Sequence, residues 1–535
     1  MTPEYKAEKE ASVSHLGGGG LWEINHVTLV APAAALLWSI LQKRQSFFKP
    51  YTLPAALTDF LLHCCGILFA TTVYSSAPQV LNGLLILPTV AALLQSPVKT
   101  DEKSKPPAKS EADDKPAKAK DEEAASDMHP LPVKPFITTY RGAMMIITCT
   151  SILAVDFPVF PRRFAKTESF GMSLMDMGVG SFVFAAGIVA ARQQLKEQQS
   201  GSPSFTMRFK AAMRHSLPLF VLGFIRLWSV KGLEYAEHVS EYGVHWNFFF
   251  TLALLPPATA LLQPVLRLIP SYGLLAFVLS GCWEMFYEIY PDIKAYIILS
   301  ERKPGDWVSQ NREGIFSFVG YLAIFIAGMG IGTGILPRDA DPEPAKPVEK
   351  DPMDEDAEWL ASILSQSAEQ EPAAPTPMKP LKPEFPDTTF WNLVKWTGIW
   401  SILCVWAQWH YGPHLFVSRR MANLAYVIWV CAFNSAQLLV FCAIECVVFR
   451  DLYEAKDQET ERQRISDATS KVMHAFNRNS LALFLLANLL TGLINMSVRT
   501  LYVGDVQAMA ILVAYIGTLC AVALLLDRHD ISIKL

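Results

Sequence analysis

Residues 152–184 read ILAVDFPVFPRRFAKTESFGMSLMDMGVGSFVF, in which a short polar segment separates two apolar runs. The first run begins near residue 137 and the second continues to about residue 191. Each run is long enough for an α-helix to cross the roughly 30 Å of hydrocarbon in a bilayer. The stretch therefore predicts two transmembrane helices that are joined by a charged loop at the membrane surface.

Similar apolar windows recur along the whole chain of 535 residues, which is 51% hydrophobic and has a mean hydropathy of +0.24. We count about thirteen of them, at 25–41, 54–74, 78–95, 137–156, 171–191, 214–230, 244–265, 271–289, 314–336, 389–409, 423–449, 479–498 and 506–526. Only helices and closed barrels satisfy their own backbone inside a bilayer, and windows of this length favour helices. The predicted fold is an all-α, polytopic transmembrane bundle.

Two hydrophilic stretches rich in Pro, Lys and acidic residues interrupt the pattern, and their composition is typical of disordered linkers. They divide the chain into an N-terminal part with three spans (1–97), a linker (98–135), a six-span core (136–337), a second linker (338–388) and four C-terminal spans with a tail (389–535).

An odd number of spans places the two termini on opposite sides of the membrane. Lys and Arg are more abundant in the odd-numbered loops and in the two linkers, which favours a cytosolic position for that side. The N-terminus is then luminal and the C-terminus cytosolic. The cations of PRRFAK, residues 161–166, lie on the luminal side in this topology, so we expect them to be retained for another reason.

Asp156 and Lys166 flank the polar segment of the opening stretch, and an ionisable group at the mouth of a membrane helix needs a partner or a role. One interpretation is an interfacial salt bridge in which Lys166 extends to the membrane surface. The other is catalytic: Asp156 accepts a proton from an alcohol, and Lys166 polarises a carbonyl or stabilises an oxyanion. The residues alone leave both interpretations open.

Arg162 and Arg163 precede Lys166 by three or four residues, so a helical turn would cluster the three cations. Such a cluster suits phosphate oxygens, and anchoring to lipid headgroups is the equally good alternative. Asp176 lies inside the following span, where structural pairing is favoured over catalysis.

Five further polar residues near span ends are candidates for substrate binding: His245, Asn247, Asn488, Asn495 and Arg499. The His245 side chain could act as a base, although an interfacial His-Trp pair more often anchors a helix in the headgroup region. Asn side chains at such positions commonly hydrogen-bond neighbouring helices, and a headgroup site is the sharper alternative.

Several function classes leave no trace in the sequence. We find no metal-binding motif, no phosphate-binding loop, no serine-hydrolase motif and no basic stripe with interleaved aromatics for nucleic acid. The nine cysteines fall in or beside apolar windows, which favours small core residues over a disulfide frame. An acyl-transfer enzyme with this sequence has to use direct attack by its acceptor.

The chain resembles the GPI-anchored wall transfer protein family, which acylates inositol during synthesis of GPI precursors. The resemblance is carried by residues 144–184, HWNFFFTLALLP at 245–256, NREGIFSFVGYLAIFIAG at 311–328, RRMANLAYVIWVCAFN at 419–434 and NLLTGLINMSVRTL at 488–501. The Pro and Glu content of the linkers points to a fungal member.

The resemblance implies a multi-pass enzyme of the endoplasmic reticulum that moves a fatty acyl group, typically palmitoyl, from acyl-CoA to the inositol 2-hydroxyl of glucosaminyl-phosphatidylinositol. It assigns the family's essential Asp and Lys to Asp156 and Lys166, ten residues apart as in the family. No cofactor is implied, because acyl-CoA is a co-substrate. The expected partners are these two substrates and the bilayer, without nucleic acid.

Two other function classes remain open from the residues. A secondary transporter or flippase for a lipid or an anion would use the buried acidic and Arg residues for binding, although the 3, 6 and 4 grouping of spans argues against a repeat. A scaffold or receptor subunit would show no turnover with any acyl donor.

Overall fold

The computed structural model describes residues 3–95, 130–199, 204–231, 241–339, 388–412, 416–455 and 457–533. Nearly all of both predicted disordered linkers lies outside these ranges. Within them the regular structure is helical and contains no β-strands, as the all-α prediction requires.

The described residues of the first half of the chain, up to residue 262, contain ten helices. They are α1 (Pro3–Ser12), α2 (Leu21–Thr28), α3 (Val30–Gln45), α4 (Leu53–Phe60), α5 (Gly66–Thr71), α6 (Pro78–Leu94), α7 (Pro135–Ala154), α8 (Leu174–Gln199), α9 (Phe205–Lys231) and α10 (Phe248–Leu262). A π-helical turn, Leu61–Cys65, joins α4 to α5, and a 3-10 turn, Arg162–Phe164, lies between α7 and α8.

The second half continues in the same way. It contains α11 (Tyr272–Ile289), α12 (Pro291–Ile298), α13 (Trp307–Gln310), α14 (Arg312–Ile335), α15 (Thr389–Tyr411), α16 (Leu424–Val448), α17 (Gln458–Asp467), α18 (Lys471–Arg478), α19 (Ser480–Ser497) and α20 (Asp505–Arg528). Short 3-10 turns lie at Val265–Arg267 and Thr500–Tyr502.

Every predicted window coincides with helix: α2 with α3 and α4 with α5 fill the first two, and single helices fill the others. Eight of these segments are long and apolar enough to cross a membrane, and α6 and α10 are apolar but shorter. The window at 423–449 is one continuous helix, α16. The polytopic helical fold is thus confirmed, while the number thirteen stays a prediction.

Contacts between connecting segments define two ends of the bundle. At one, which we call the Asp156 end, the segments before α2, between α7 and α8, before α16 and after α19 meet. There Gly19 N donates to Met172 O at 2.7 Å, and the Ser418 hydroxyl donates to Ser169 O at 2.7 Å.

At the other, which we call the opposite end, the segments between α3 and α4, before α7, after α14 and after α16 meet. There the Glu445 carboxylate accepts from Phe136 N at 2.7 Å, and the Arg338 guanidinium pairs with Glu461 at 2.7 Å. Residues 3–20 lie at the Asp156 end and residues 527–533 at the opposite end, as an odd number of crossings requires.

A close helix crossing joins α8 to α14 and depends on glycine. A Cβ on Gly187 would lie 2.2 Å from Phe325 O, and one on Gly328 would lie 2.2 Å from Phe184 O. Because neither position has room for a side chain, the two backbones approach as closely as small-residue interfaces allow in membranes. This crossing fixes α8, whose first turn carries Asp176.

Many large apolar side chains are exposed on the bundle. Those with at least four-fifths of their surface exposed include Leu94, Trp228, Trp409 and Val506. Exposed apolar side chains in such number are unfavourable in water and favourable against lipid tails. Together with the apolar helices, they identify a multi-pass membrane protein.

Candidate active site

Asp156 lies in the loop that follows α7, and its side chain is 14% exposed. Its backbone N donates to Leu153 O at 3.1 Å, which continues the turn beyond the helix end. Its carboxylate has two partners from distant parts of the chain. Lys9 Nζ of α1 lies 2.9 Å from Oδ1, and the Asn495 amide of α19 donates to Oδ2 at 2.7 Å.

Lys166 lies later in the same loop and is 35% exposed. Its Nζ donates to both carboxylate oxygens of Glu241, at 2.7 and 2.8 Å. Among the described residues no ion pair joins Lys166 to Asp156. The two predicted catalytic residues thus share a loop and an end of the bundle, and each is held by a separate partner.

The residue after Lys166 is anchored to Asp176, which is fully buried in the first turn of α8. Asp176 Oδ2 accepts from Thr167 N at 3.0 Å, from the Thr167 hydroxyl at 2.7 Å and from the Ser173 hydroxyl at 2.8 Å. Arg419 Nε lies 2.6 Å from Oδ1. The structural pairing predicted for Asp176 is therefore present, and it fixes the backbone that carries Lys166.

Arg419 precedes α16 and is itself buried. Burial alone would lower the pKa of its guanidinium, but the contact with Asp176 raises that pKa well above its usual value. Arg419 is therefore protonated throughout the physiological range.

Arg162 and Arg163 lie in the 3-10 turn between Asp156 and Lys166 and have separate partners. The Arg162 guanidinium donates to Val155 O at 2.6 Å. Burial lowers the pKa of Arg162, and the nearby Asp156 carboxylate opposes that shift. Arg163 pairs with Glu23 at 2.5 Å. The predicted turn forms, but Arg162, Arg163 and Lys166 each contact a different group.

His245 and Asn247 precede α10 at the same end. His245 Nε2 lies 3.1 Å from Gln310 Oε1, and its backbone N donates to Asn311 Oδ1 at 2.8 Å. The Asn247 side chain caps α10 by accepting from Phe249 N and Phe250 N. These contacts are structural and join the loop to its neighbours.

Asn488 and Arg499 lie on and just after α19. The Asn488 amide donates to Phe484 O, one turn earlier, at 2.7 Å. Arg499 is exposed beyond the helix end. Of the two asparagines predicted as site residues on this helix, Asn495 contacts Asp156. Asn488 lies about two helical turns deeper in the bundle.

A partly open apolar crevice lies between α2, α3, α7, α8 and α16, and its empty space, counted together with the open space at its mouth, is about 460 Å³. Leu174, Met177 and Gly178 line it within one turn of Asp176, while Phe433 and Phe441 line it deeper along α16. The rise between these two phenylalanines is about 12 Å in a helix. The crevice therefore extends from the first turn of α8, next to the loop that carries Asp156 and Lys166, into the apolar interior.

The sequence comparisons agree along the whole chain. The model of the GWT1 family matches residues 5–526. The chain belongs to the GWT1 family. It is 48% identical to GPI-anchored wall transfer protein 1 of Aspergillus oryzae over 542 residues, with 100% of both chains covered. It is 34% identical to the protein of the same name in Saccharomyces cerevisiae, with 99% of each chain covered.

Membership of the GWT1 family confirms the resemblance that the quoted segments carry, and the relatives named here are fungal. In this GWT1-family chain the structure adds three residues that our reading of the sequence did not single out as site residues: Lys9, Glu241 and Arg419. Arg419 and Arg420 begin the quoted segment 419–434, just before a predicted span. Two adjacent arginines in that position were the signal by which the sequence could have marked Arg419. Lys9 and Glu241 lie in polar stretches without periodicity, where no pattern marks them.

Replacing Arg419 with Met should destabilise this GWT1-family protein by about 3–5 kcal/mol, because it leaves Asp176 as a buried charge without its cation. Unfolding in mixed micelles with a graded denaturing detergent measures the loss. Lys43→Met is the control, since Lys43 pairs with Asp451 and the two side chains are 45% and 53% exposed, and exposed pairs contribute only about 0–1 kcal/mol. Equal unfolding midpoints for the two variants would contradict this role of Arg419.

Proposed function

We propose that this protein transfers a fatty acyl group, palmitoyl in the first instance, from acyl-CoA to the inositol 2-hydroxyl of glucosaminyl-phosphatidylinositol. The observation that carries the proposal is the Asp156 carboxylate, held from two sides at the mouth of the bundle, in a chain that belongs to the GWT1 family throughout. The relatives' name, GPI-anchored wall transfer protein 1, supports a role in GPI-anchor synthesis.

Asp156 is the general base in this proposal. An ionised carboxylate offers about four lone-pair sites, and Lys9 and Asn495 engage one on each oxygen. The remaining sites can accept the proton of the inositol 2-hydroxyl as its oxygen attacks the thioester carbon. The bond to sulfur then breaks, the thiolate takes up a proton, and free CoA leaves without a covalent acyl-enzyme.

Asn495 supplies a contact for the acceptor. Its amide nitrogen points to Asp156, while its Oδ1 is buried and has no hydrogen-bond partner within the described ranges. An unsatisfied buried acceptor is unfavourable by about 1–3 kcal/mol, so a donor from the substrate would stabilise it. The inositol ring carries another hydroxyl next to the 2-hydroxyl, and this neighbouring hydroxyl is the donor to Asn495 Oδ1 in the proposal.

Lys166 stabilises the oxyanion that forms on the thioester carbonyl. Its ammonium has three N–H donors, of which two are directed at the Glu241 oxygens. One donor is left for the reacting oxygen. Glu241 thus fixes the direction of that donor without occupying it.

The apolar crevice beside Asp176 holds the acyl chain in this proposal. Its lining includes Met144, Ile147 and Phe433, which contact a hydrocarbon chain favourably. The glycolipid enters sideways from the membrane, and the phosphates of CoA contact cationic side chains at the cytosolic mouth. The enzyme lies in the endoplasmic-reticulum membrane with its N-terminus and the Asp156 end luminal, and it needs no cofactor beyond acyl-CoA.

Filling that crevice should shorten the acyl chain that is transferred. Gly178 lines the crevice, and a Cβ at this position meets no atom within 4 Å, so Gly178→Leu adds bulk without a backbone clash. Excluding about four methylenes, at roughly 0.8 kcal/mol each, lowers kcat/KM for palmitoyl-CoA relative to lauroyl-CoA about 10²-fold.

The control for this change is Gly83→Leu on α6, where a Cβ also meets nothing within 4 Å and the crevice is not involved. Competition between the two acyl-CoA substrates, read by mass spectrometry of the products, gives the ratio directly. An unchanged preference in Gly178→Leu would place the acyl chain elsewhere.

The proposed activity is tested with purified protein in detergent, where no gradient exists for a transporter to use. Acyl-CoA and a glucosaminyl-phosphatidylinositol analogue should give free CoA and acylated glycolipid in equal amounts. A protein that moves the lipid across vesicle membranes but yields no product in detergent would be a transporter or flippase. A protein that does neither would be a scaffold or receptor.

A further inference from the structure

The segment before the first membrane helix lies across the Asp156 end and is anchored by one face of α1. Tyr5, Glu8 and Lys9 have the spacing that places side chains on one helix face. The Tyr5 hydroxyl lies 3.3 Å from the Thr500 hydroxyl and accepts from Leu501 N at 3.2 Å. Glu8 accepts from the Tyr502 hydroxyl. This face therefore contacts the 3-10 turn that follows α19.

The same segment is anchored a second time, against the loop that carries Asp156 and Lys166. Glu168 N donates to Leu16 O at 3.2 Å, and Gly19 N donates to Met172 O at 2.7 Å. At Gly18, where φ is +79°, a Cβ would lie 2.2 Å from Met172 O. The glycine run lets the two backbones approach, so residues 16–19 are fixed directly on the catalytic loop.

Between these two anchors Lys9 reaches Asp156. The side chains of Lys9 and Asp156 are only 15% and 14% exposed, so water screens this ion pair much less than a surface pair. A free lysine side chain loses about 1.5–2 kcal/mol of rotamer entropy when it is fixed. Here contacts on both sides already fix α1. The helix therefore places the Lys9 ammonium against Asp156 Oδ1 with a smaller loss of entropy.

We propose that Lys9 is a positioning residue of the active site, and that residues 3–20 form a strap that holds it there. This inference rests on the proposed role of Asp156 as the base. Lys9 on Oδ1 and Asn495 on Oδ2 fix the plane of the carboxylate.

Lys9→Met should lower kcat roughly 10²-fold, because misplacing a reacting group by about 1 Å has an effect of that size. KM for acyl-CoA should stay unchanged, since Lys9 contacts neither the apolar crevice nor the donor. Lys9→Arg keeps the charge and should recover most of the activity. Lys6→Met removes an equal charge from the same helix, where the structure describes no ion pair for Lys6, and should behave as wild type.

The split between kcat and KM, together with rescue by Lys9→Arg, separates positioning from a structural role. In the folded fraction of Lys9→Met, kcat should fall while KM for acyl-CoA keeps its wild-type value, and Lys9→Arg should restore kcat. In Lys6→Met neither constant should change. A Lys9→Met protein with a lower melting temperature but an unchanged kcat in its folded fraction would overturn the inference.

The double variant Lys9→Met with Asp156→Asn tests the role of Lys9 separately from the proposed function. If Lys9 acts through Asp156, the double variant should be no less active than Asp156→Asn alone. An inactive Asp156→Asn with a fully active Lys9→Met would refute the role of Lys9 and leave the proposed function standing. Full activity in Asp156→Asn would refute the proposed function itself.

Discussion

Asp156→Asn should lower kcat by about 10²–10⁴-fold, which is the range for removing a general base. The amide has nearly the same shape as the carboxylate and can still contact Asn495, so the bundle should fold normally. What is lost is the group that takes the proton from the attacking hydroxyl. Single-turnover transfer of a labelled acyl group by purified protein measures the chemical step directly.

Asp292→Asn is the matched control for this variant. Asp292 begins α12 at the same end of the bundle and is exposed, so the change removes one acidic charge without touching the site. The control should retain wild-type turnover. A loss of equal size in both variants would show that the net charge of this end, and not the Asp156 carboxylate, determines the rate.

Lys166→Met should lower kcat by about 10²–10³-fold, the effect of removing one donor from an oxyanion site. Met keeps the length of the side chain and loses only the ammonium. The ion pair with Glu241 is lost, but both of its side chains are partly exposed, so the expected loss of stability is small. Rate and melting temperature measured on the same preparation separate the two effects.

Lys303→Met controls for the loss of positive charge, because Lys303 is exposed at the same end. Lys166→Arg is informative as well. Its guanidinium can still pair with Glu241 but presents its donors in a planar fork, so we expect partial recovery of activity. Wild-type rates in Lys166→Met would exclude it as the oxyanion donor and leave it as an interfacial salt bridge.

Hydropathy predicted the fold well because the bilayer dictates both the length and the backbone pairing of its helices. The long window at 423–449, for example, contains one continuous helix. The hydropathy pattern does not indicate which helices contact one another. The crossing of α8 with α14, fixed by Gly187 and Gly328, is visible only in three dimensions.

The candidate site was predictable only where its residues share a sequence neighbourhood. Asp156, Lys166 and Asp176 lie within one loop and the helix turn after it, so a single stretch showed them. Their partners come from 147 to 339 residues away for Asp156 and from 75 residues away for Lys166. Since a salt bridge depends on tertiary placement, Lys9 and Glu241 look in the sequence like any other solvated charges.

The buried acid in α8, Asp176, also shows that the sequence does not predict which residues become partners. The high cost of a charge inside a membrane protein predicted that Asp176 has a partner. It did not predict that the partner is Arg419, 243 residues later, or that the pair would hold the backbone beside Lys166.

In the proposed mechanism the Asp156 carboxylate activates the inositol 2-hydroxyl for direct attack on an acyl thioester. The test is tandem mass spectrometry of the product that purified protein makes from palmitoyl-CoA and glucosaminyl-phosphatidylinositol, with the acceptor offered also as its 2-O-methyl derivative. We predict palmitate on the inositol 2-oxygen with the natural acceptor, none with the methylated acceptor, and about 10²–10⁴-fold slower formation of the product by Asp156→Asn. Acylation of the methylated acceptor, or full product formation by Asp156→Asn, would contradict this mechanism.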